Sequence, residues 1–179
     1  MEYLLKNGET LTVRPPTPED AAELVSLMVK ADGQTPFLAR NPGEFARQFT
    51  VEREAEILRA LPANPNLQWY VAQYGGRLVG NCSALVPAPG ERFRHRGAVA
   101  FSVLREFWGL GIGGRLMETC LAWCRAHGCE QVELDVVAHN ERALRMYKSF
   151  GFTVTGTRPR ALKYPDGSYA DEYMMVKFF

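Results

Sequence analysis

Between Thr10 and Arg14 polar and apolar side chains alternate as they do along a strand with one buried face. Thr17-Pro18-Glu19-Asp20 then supplies a cap residue, a proline for the first turn and two carboxylates at the positive end of a helix dipole. This predicts a first helix running to about Ala31. Gly33, Pro36, Pro42 and Gly43 mark residues 32–43 as a loop, and Phe45, Phe49, Ile57, Leu58 and Leu61 then recur at helical spacing, predicting a second helix over Glu44–Leu61. Leu67–Gln73 and Arg77–Val86 are apolar, β-branched or aromatic runs joined by Tyr74-Gly75-Gly76, the pattern of a hairpin.

The second half alternates strands with helices. Ala98–Val103 has strand length and leads through Leu104-Arg105-Glu106-Phe107-Trp108 into a glycine cluster and a strong helical pattern over Gly113–His127, with Gly128 as its terminator. Gln131–Val137 predicts another strand. Asn140 is placed to cap a helix from Glu141 to Phe150, Gly151 to end it, and Phe152–Tyr164 and Ser168–Phe178 to form a last hairpin around Pro165-Asp166-Gly167. The class read from these elements is α/β with a mixed sheet. No internal repeat, low-complexity tract or linker divides the chain, and 179 residues are expected to form a single domain over 1–179.

Composition changes the picture mainly by exclusion. With 46% hydrophobic residues, 21 Lys plus Arg against 20 Asp plus Glu and a net charge of +1, there is no concentrated basic surface for phosphate neutralisation, so nucleic acid is not an expected partner. The one basic cluster, Arg92, Arg94, His95 and Arg96 after Pro87-Ala88-Pro89-Gly90, reads as a solvated loop. No apolar run approaches the roughly 18 residues a membrane span needs, and the opening residues lack a signal-peptide pattern, so a cytoplasmic protein without a membrane partner is expected. Cys82, Cys120, Cys124 and Cys129 contain no Cys-x-x-Cys pair and have three histidines for company, which argues against zinc or any other metal. Cys120 and Cys124 fall on an apolar helical stripe with Leu116, Met117 and Leu121 and are read as small core residues.

Candidate chemistry centres on Trp108-Gly109-Leu110-Gly111-Ile112-Gly113-Gly114-Arg115. A turn from strand to helix leaves backbone N–H groups unpaired at the positive end of the dipole, and glycine lets an oxygen approach them closely, so a phosphate is the natural ligand, with Arg115 as an added cation. Gly109-x-Gly111-x-x-Gly114 also fits a dinucleotide fingerprint, with Glu133 and Asp135 about 20 residues on as ribose-binding acids. Topology opposes that reading, because about a hundred residues precede the glycines and too little chain follows for a second βαβ half. A P-loop is excluded by Arg115-Leu116 where Lys followed by Ser or Thr is required.

The sequence resembles the GNAT-type N-acetyltransferase superfamily. Gly111-Ile112-Gly113 matches the core of its acyl-CoA motif, and Asn140, Ala143, Tyr147, Gly151 and Phe152 match its second mark, at the right separation. Trp108 stands where the family usually has Arg or Gln, which removes one side-chain contact to the CoA phosphates from the expectation and leaves the main-chain contacts. The resemblance implies a mixed, mostly antiparallel sheet of about six to seven strands flanked by about four helices, with the fourth and fifth strands, Ala98–Val103 and Gln131–Val137, splayed apart. It further implies that Phe101, Ser102, Val103 and Leu104 offer main-chain groups to the pantetheine arm. Trp108, Gly109, Leu110, Gly111, Ile112, Gly113, Gly114 and Arg115 would surround the diphosphate, and Asn140, Ala143 and Tyr147 would contact the cofactor. Dimers are frequent in the family.

The implied reaction moves an acetyl group from acetyl-CoA to a primary amine by direct attack, with no metal and no covalent enzyme intermediate. It needs a neutral amine, a donor for the negative charge developing on the acyl oxygen and a proton for the departing thiolate. The backbone N–H near Leu104 is the family's candidate donor, and Tyr147 the candidate acid. Glu133 and Asp135, on the face of their strand opposite Val132, Leu134 and Val136, are candidate bases, with a water relay as the alternative. The acceptor is either a protein N-terminal amine or a small amine. Two other readings stay open: a catalytically silent acyl-CoA sensor, and a nicotinamide-dependent oxidoreductase.

Overall fold

Eight strands form one sheet in the order β1-β2-β3-β4-β5-β6-β8-β7, in a computed structural model that describes residues 1–86 and 90–179. The strands are β1 (Glu2–Leu4), β2 (Thr10–Arg14), β3 (Leu67–Tyr74), β4 (Arg77–Leu85), β5 (Arg96–Val103), β6 (Gln131–Val137), β7 (Thr153–Lys163) and β8 (Tyr169–Phe178). Five α-helices accompany them: α1 (Ala21–Gln34), α2 (Glu44–Gln48), α3 (Val51–Ala60), α4 (Ile112–Ala126) and α5 (Glu141–Ser149). Every neighbouring pair of strands is antiparallel except β5 and β6, which run parallel. The mixed, mostly antiparallel sheet agrees with expectation and has one more strand than foreseen.

The additional strand is β1, which pairs with β2 through a turn closed by Leu5 N–H to Glu9 O at 2.9 Å. Gly8 sits in that turn at φ +83°, so Asn7-Gly8 is the hairpin signal that marks it. The second helix is broken in two. Phe49 is extended at φ −125°, and the Thr50 hydroxyl caps a fresh start by accepting from Arg53 N–H at 3.2 Å. The Phe45 and Phe49 rings stack 4.5 Å apart along α2, whose last helical bond runs from Phe49 N–H to Phe45 O at 2.9 Å, so the break falls between Phe49 and the Thr50 cap. Within the expected basic loop, residues 87–89 lie outside the described residues, while Arg96 belongs to β5 and pairs with Glu133.

Two apolar layers enclose the sheet. Ile112, Leu116, Met117, Cys120 and Cys124 of α4 pack with Leu11, Val13, Ala72, Val79, Val132 and Val136, and Tyr147 joins this cluster from α5. On the other face Leu24, Leu27 and Ala31 of α1 and Leu58 of α3 pack with Val71, Leu78 and Leu104. All four cysteines are buried with free thiols, and burial pushes the Cys124 thiol up to about 12. Among the described residues no cluster of potential ligands could hold a metal ion, and no helix is long and apolar enough to cross a membrane. The edge strand β7 is irregular, with register shifts between Val154 and Gly156 and between Arg158 and Leu162, and Arg160 at φ +51°.

Glu54 is buried on α3, and desolvation raises its carboxyl above the ordinary range. A raised folded-state value means that the folded chain holds the proton more tightly, so stability is lost as pH rises through the carboxylate range. Glu54→Gln is therefore expected to unfold at higher temperature than the parent at pH 7, with the gap closing below pH 4. Thermal unfolding across pH measures this, and a gap that is constant with pH contradicts it.

Candidate active site

β5 and β6 pair at three positions, Arg96 with Gln131, Gly97 with Val132 and Ala98 with Glu133, and then part. Leu104 N–H donates to Val79 O at 2.9 Å, which sets the alternation along β5. Ser102 and Leu104 turn their main-chain groups toward β4, while Phe101 and Val103 turn theirs toward the opening. Of the four residues expected to offer main-chain groups to a ligand, two are therefore so placed. The Leu104 amide expected to steady a developing negative charge is already donated to the sheet. Ser102 adds only its hydroxyl, buried 3.4 Å from Asn81 Nδ2.

Beside the opening lies the glycine turn. Gly109 and Gly111 have φ of +88° and +95°, and a Cβ built on either would meet nothing within 4 Å, so the chain needs their left-handed freedom and leaves space next to them. Arg115 N–H is the first of α4 to find a helical carbonyl, that of Gly111 at 3.2 Å, so the N–H groups of Ile112, Gly113 and Gly114 precede the first intrahelical bond. Gly113 serves packing: a Cβ there would come within 3.3 Å of Met146 Sδ. Leu110 packs against the core and Ile112 is buried in it. Arg115, the expected cation, bonds Glu118 at 2.8 Å in an exposed pair and lies over the Tyr3 ring. Trp108 donates Nε1–H to Val103 O at 2.7 Å, and the Arg142 guanidinium sits 5.0 Å from its ring centroid. Sequence reasoning missed Arg142, because nothing in a one-dimensional pattern brings it to Trp108.

α5 closes the same side. Asn140 Oδ1 accepts from Ala143 N–H at 3.2 Å, so the residue is a cap as expected, and its amide nitrogen is left over. Tyr147 packs edge-on to Phe101 and against Phe152, each ring 5.9 Å away. Its hydroxyl has no hydrogen-bond partner among the described residues and is not sealed from solvent. Burial raises its pKa, so the phenol stays protonated at neutral pH.

The two carboxylates of β6 are committed elsewhere. Glu133 receives Arg96 at 2.5 and 2.6 Å and Gln131 at 2.8 Å, and the Arg96 hydrogen bonds hold it below the usual carboxylate range, which makes it a poor base. Asp135 shares Arg158 with Glu172, both at 2.9 Å. Beyond the end of α1, a cavity of about 390 Å³ lies between residues 32–42 and the β7–β8 hairpin. Tyr164 hydroxyl bridges its walls by donating to Pro36 O at 3.0 Å, and Gln34 ties it to the end of β5 by accepting from Arg105 N–H at 2.7 Å. A larger, open hollow of about 680 Å³, lined by Asn66, His95, His127 and Glu130, lies at the far end of α4, away from the glycine turn.

Known proteins share this fold. Residues 38–152 match the Acetyltransferase (GNAT) family. The L-amino acid N-acetyltransferase AaaT of Escherichia coli (strain K12) is 33% identical over 88 residues, 49% of this chain and 45% of that protein, so the match spans under half the relative's length. The acetyltransferase of GNAT family from Streptococcus pneumoniae superposes with a TM-score of 0.86 at 26% identity, covering 94% of this chain and 99% of that one. The yncA structure from Salmonella typhimurium with its cofactor acetyl-CoA shares the fold, with a TM-score of 0.79 at 20% identity over 94% and 93% of the two chains.

An alanine at Gly111 would hold a Cβ in the left-handed region. Gly111→Ala is expected to destabilise the fold by about 1–2 kcal/mol, read from the urea midpoint at unchanged slope. An unaltered midpoint would show that the turn does not need the left-handed residue.

Proposed function

The chain belongs to the GNAT acetyltransferase family, and from that premise we propose an acetyl-CoA-dependent N-acetyltransferase, acting as one domain, that acetylates the primary amine of a small acceptor by direct attack. The observation that carries this reading is the juxtaposition of a parted sheet and an uncapped helix start. Main-chain groups of Phe101 and Val103 face a gap that β6 no longer fills, next to open space over Gly109 and Gly111 and the N–H groups of Ile112, Gly113 and Gly114. An extended amide-bearing arm suits the first part and a diphosphate the second, so these residues fit acyl-CoA. When bound, it supplies an acetyl group activated as a thioester.

The protein's own part is to orient and to manage protons. Phe101 and Val103 align the arm as an added strand would be aligned, and Asn140 has a side-chain N–H left over for it after capping α5. Tyr147 holds a proton on a hydroxyl that spends it on no protein acceptor, next to Phe101 of the opening, and donates it to the departing sulfur. With Glu133 and Asp135 held in ion pairs, the amine loses its proton to water.

A small acceptor is favoured over a protein terminus by the cavity at the end of α1. At about 390 Å³, with its walls bridged from Tyr164 to Pro36, it has the size of a pocket for a small molecule. The activity named for the Escherichia coli relative, which acts on L-amino acids, supports the same class. A screen for CoA release with amino acids, N-terminal peptides, lysine peptides, polyamines and aminoglycosides tests it. Turnover with amino acids is expected, and turnover with peptides alone would reassign the acceptor.

Tyr147→Phe is expected to lower kcat by about 100-fold, the lower end of the effect of a positioned acid. Because the hydroxyl has no protein partner, the melting temperature and the affinity for acetyl-CoA should change little. Unchanged turnover would return Tyr147 to packing alone.

A further inference from the structure

Trp108 opens the turn into α4 at the position where the family usually carries arginine or glutamine. Its indole is fixed at one end, because Nε1–H is donated to Val103 O at 2.7 Å, and its face is covered by the Arg142 guanidinium at 5.0 Å. Arg142 is the second residue of α5. A cation in the first turn opposes the helix dipole, and a carboxylate would ordinarily offset that. Glu141 supplies that carboxylate but pairs with Arg145 at 3.2 Å, and among the described residues Arg142 takes part in no ion pair. Arg115, the cation that the sequence suggested for this turn, is held by Glu118.

We propose that Arg142, seated over the Trp108 ring, supplies the side-chain cation to the diphosphate of acyl-CoA that the first position of the glycine motif does not. This rests on the acyl-CoA reading above. A guanidinium attracted to an aromatic face spends no N–H donor on a carboxylate, so its donors remain available to phosphate oxygens. The bond from Trp108 to Val103 joins that platform to the strand that aligns the arm, so the cation is pre-positioned before a ligand arrives. The charge removed from one end of the motif is thus restored from a different helix.

Calorimetric titration of the full chain with acetyl-CoA and with its 3′-dephospho form tests the assignment. Arg142→Ala is expected to weaken both about tenfold and in equal proportion, the scale of one lost charge-assisted hydrogen bond, while the melting temperature without ligand stays unchanged. Adding Trp108→Arg to Arg142→Ala is expected to recover most of the loss, by returning a cation to the motif. Parental affinity in Arg142→Ala overturns the proposal. A loss that disappears with the 3′-dephospho form also overturns it, by moving the contact from the diphosphate to the 3′-phosphate. Absence of binding by the parent chain would instead refute the acyl-CoA reading on which it rests.

Discussion

A sheet that stops pairing in its own interior is the constraint from which the rest of this molecule follows. Past Ala98 and Glu133 the ladder between β5 and β6 ends, although both strands continue. Peptide groups inside a protein are almost always paired, and those left unpaired must meet water or a ligand. The main chain of Phe101 and the N–H of Val103 are held in that condition by the two flanking layers, while Val103 O accepts from Trp108 Nε1–H. α4 and α5 anchor one face through Leu116, Cys120 and Tyr147, and α1 anchors the other through Leu24 and Leu27. The core therefore serves chiefly to keep a gap open.

The features grouped around the gap are consequences of where strands end. β5 runs out at Val103 into the turn whose glycines allow α4 to start without a cap, and β6 runs out at Val137 just ahead of Asn140. Two helix starts thus flank one opening. Each contributes what a helix start has to give: free N–H groups on α4, and on α5 a capping amide with a spare donor. Trp108 and Arg142 join the two ends through an aromatic face, and Tyr147 lies further along α5 against Phe101.

Much of this was legible in the chain because it is local. Strand alternation at Thr10–Arg14 and Gln131–Val137, the hairpin at Gly75-Gly76, the cap at Asn140 and the glycine turn each depend on neighbours a few residues away. Where the sequence misled, a distant partner or a competing local signal decided. Helical spacing across Phe45–Leu61 concealed the Thr50 cap, because Phe45 and Phe49 share the end of one helix and Ile57, Leu58 and Leu61 follow in the next with hardly a gap between the two. Glu133 and Asp135 looked available as bases until Arg96 and Arg158, far off in sequence, occupied them. The direction of the Leu104 amide was fixed by register with Val79, and register is a property of a pair of strands that neither strand reveals alone. Arg142 drew no notice because an arginine in a helix reads as solvated surface.

The irregular β7 carries a consequence of a different kind. As the outermost strand beyond β8 it presents eleven residues with one side unpaired, long enough to recruit a foreign strand. Two breaks in register, a proline between two arginines and the left-handed backbone at Arg160 leave no flat stretch on which successive hydrogen bonds could be laid. The border that ought to nucleate fibrils is thereby made a poor template.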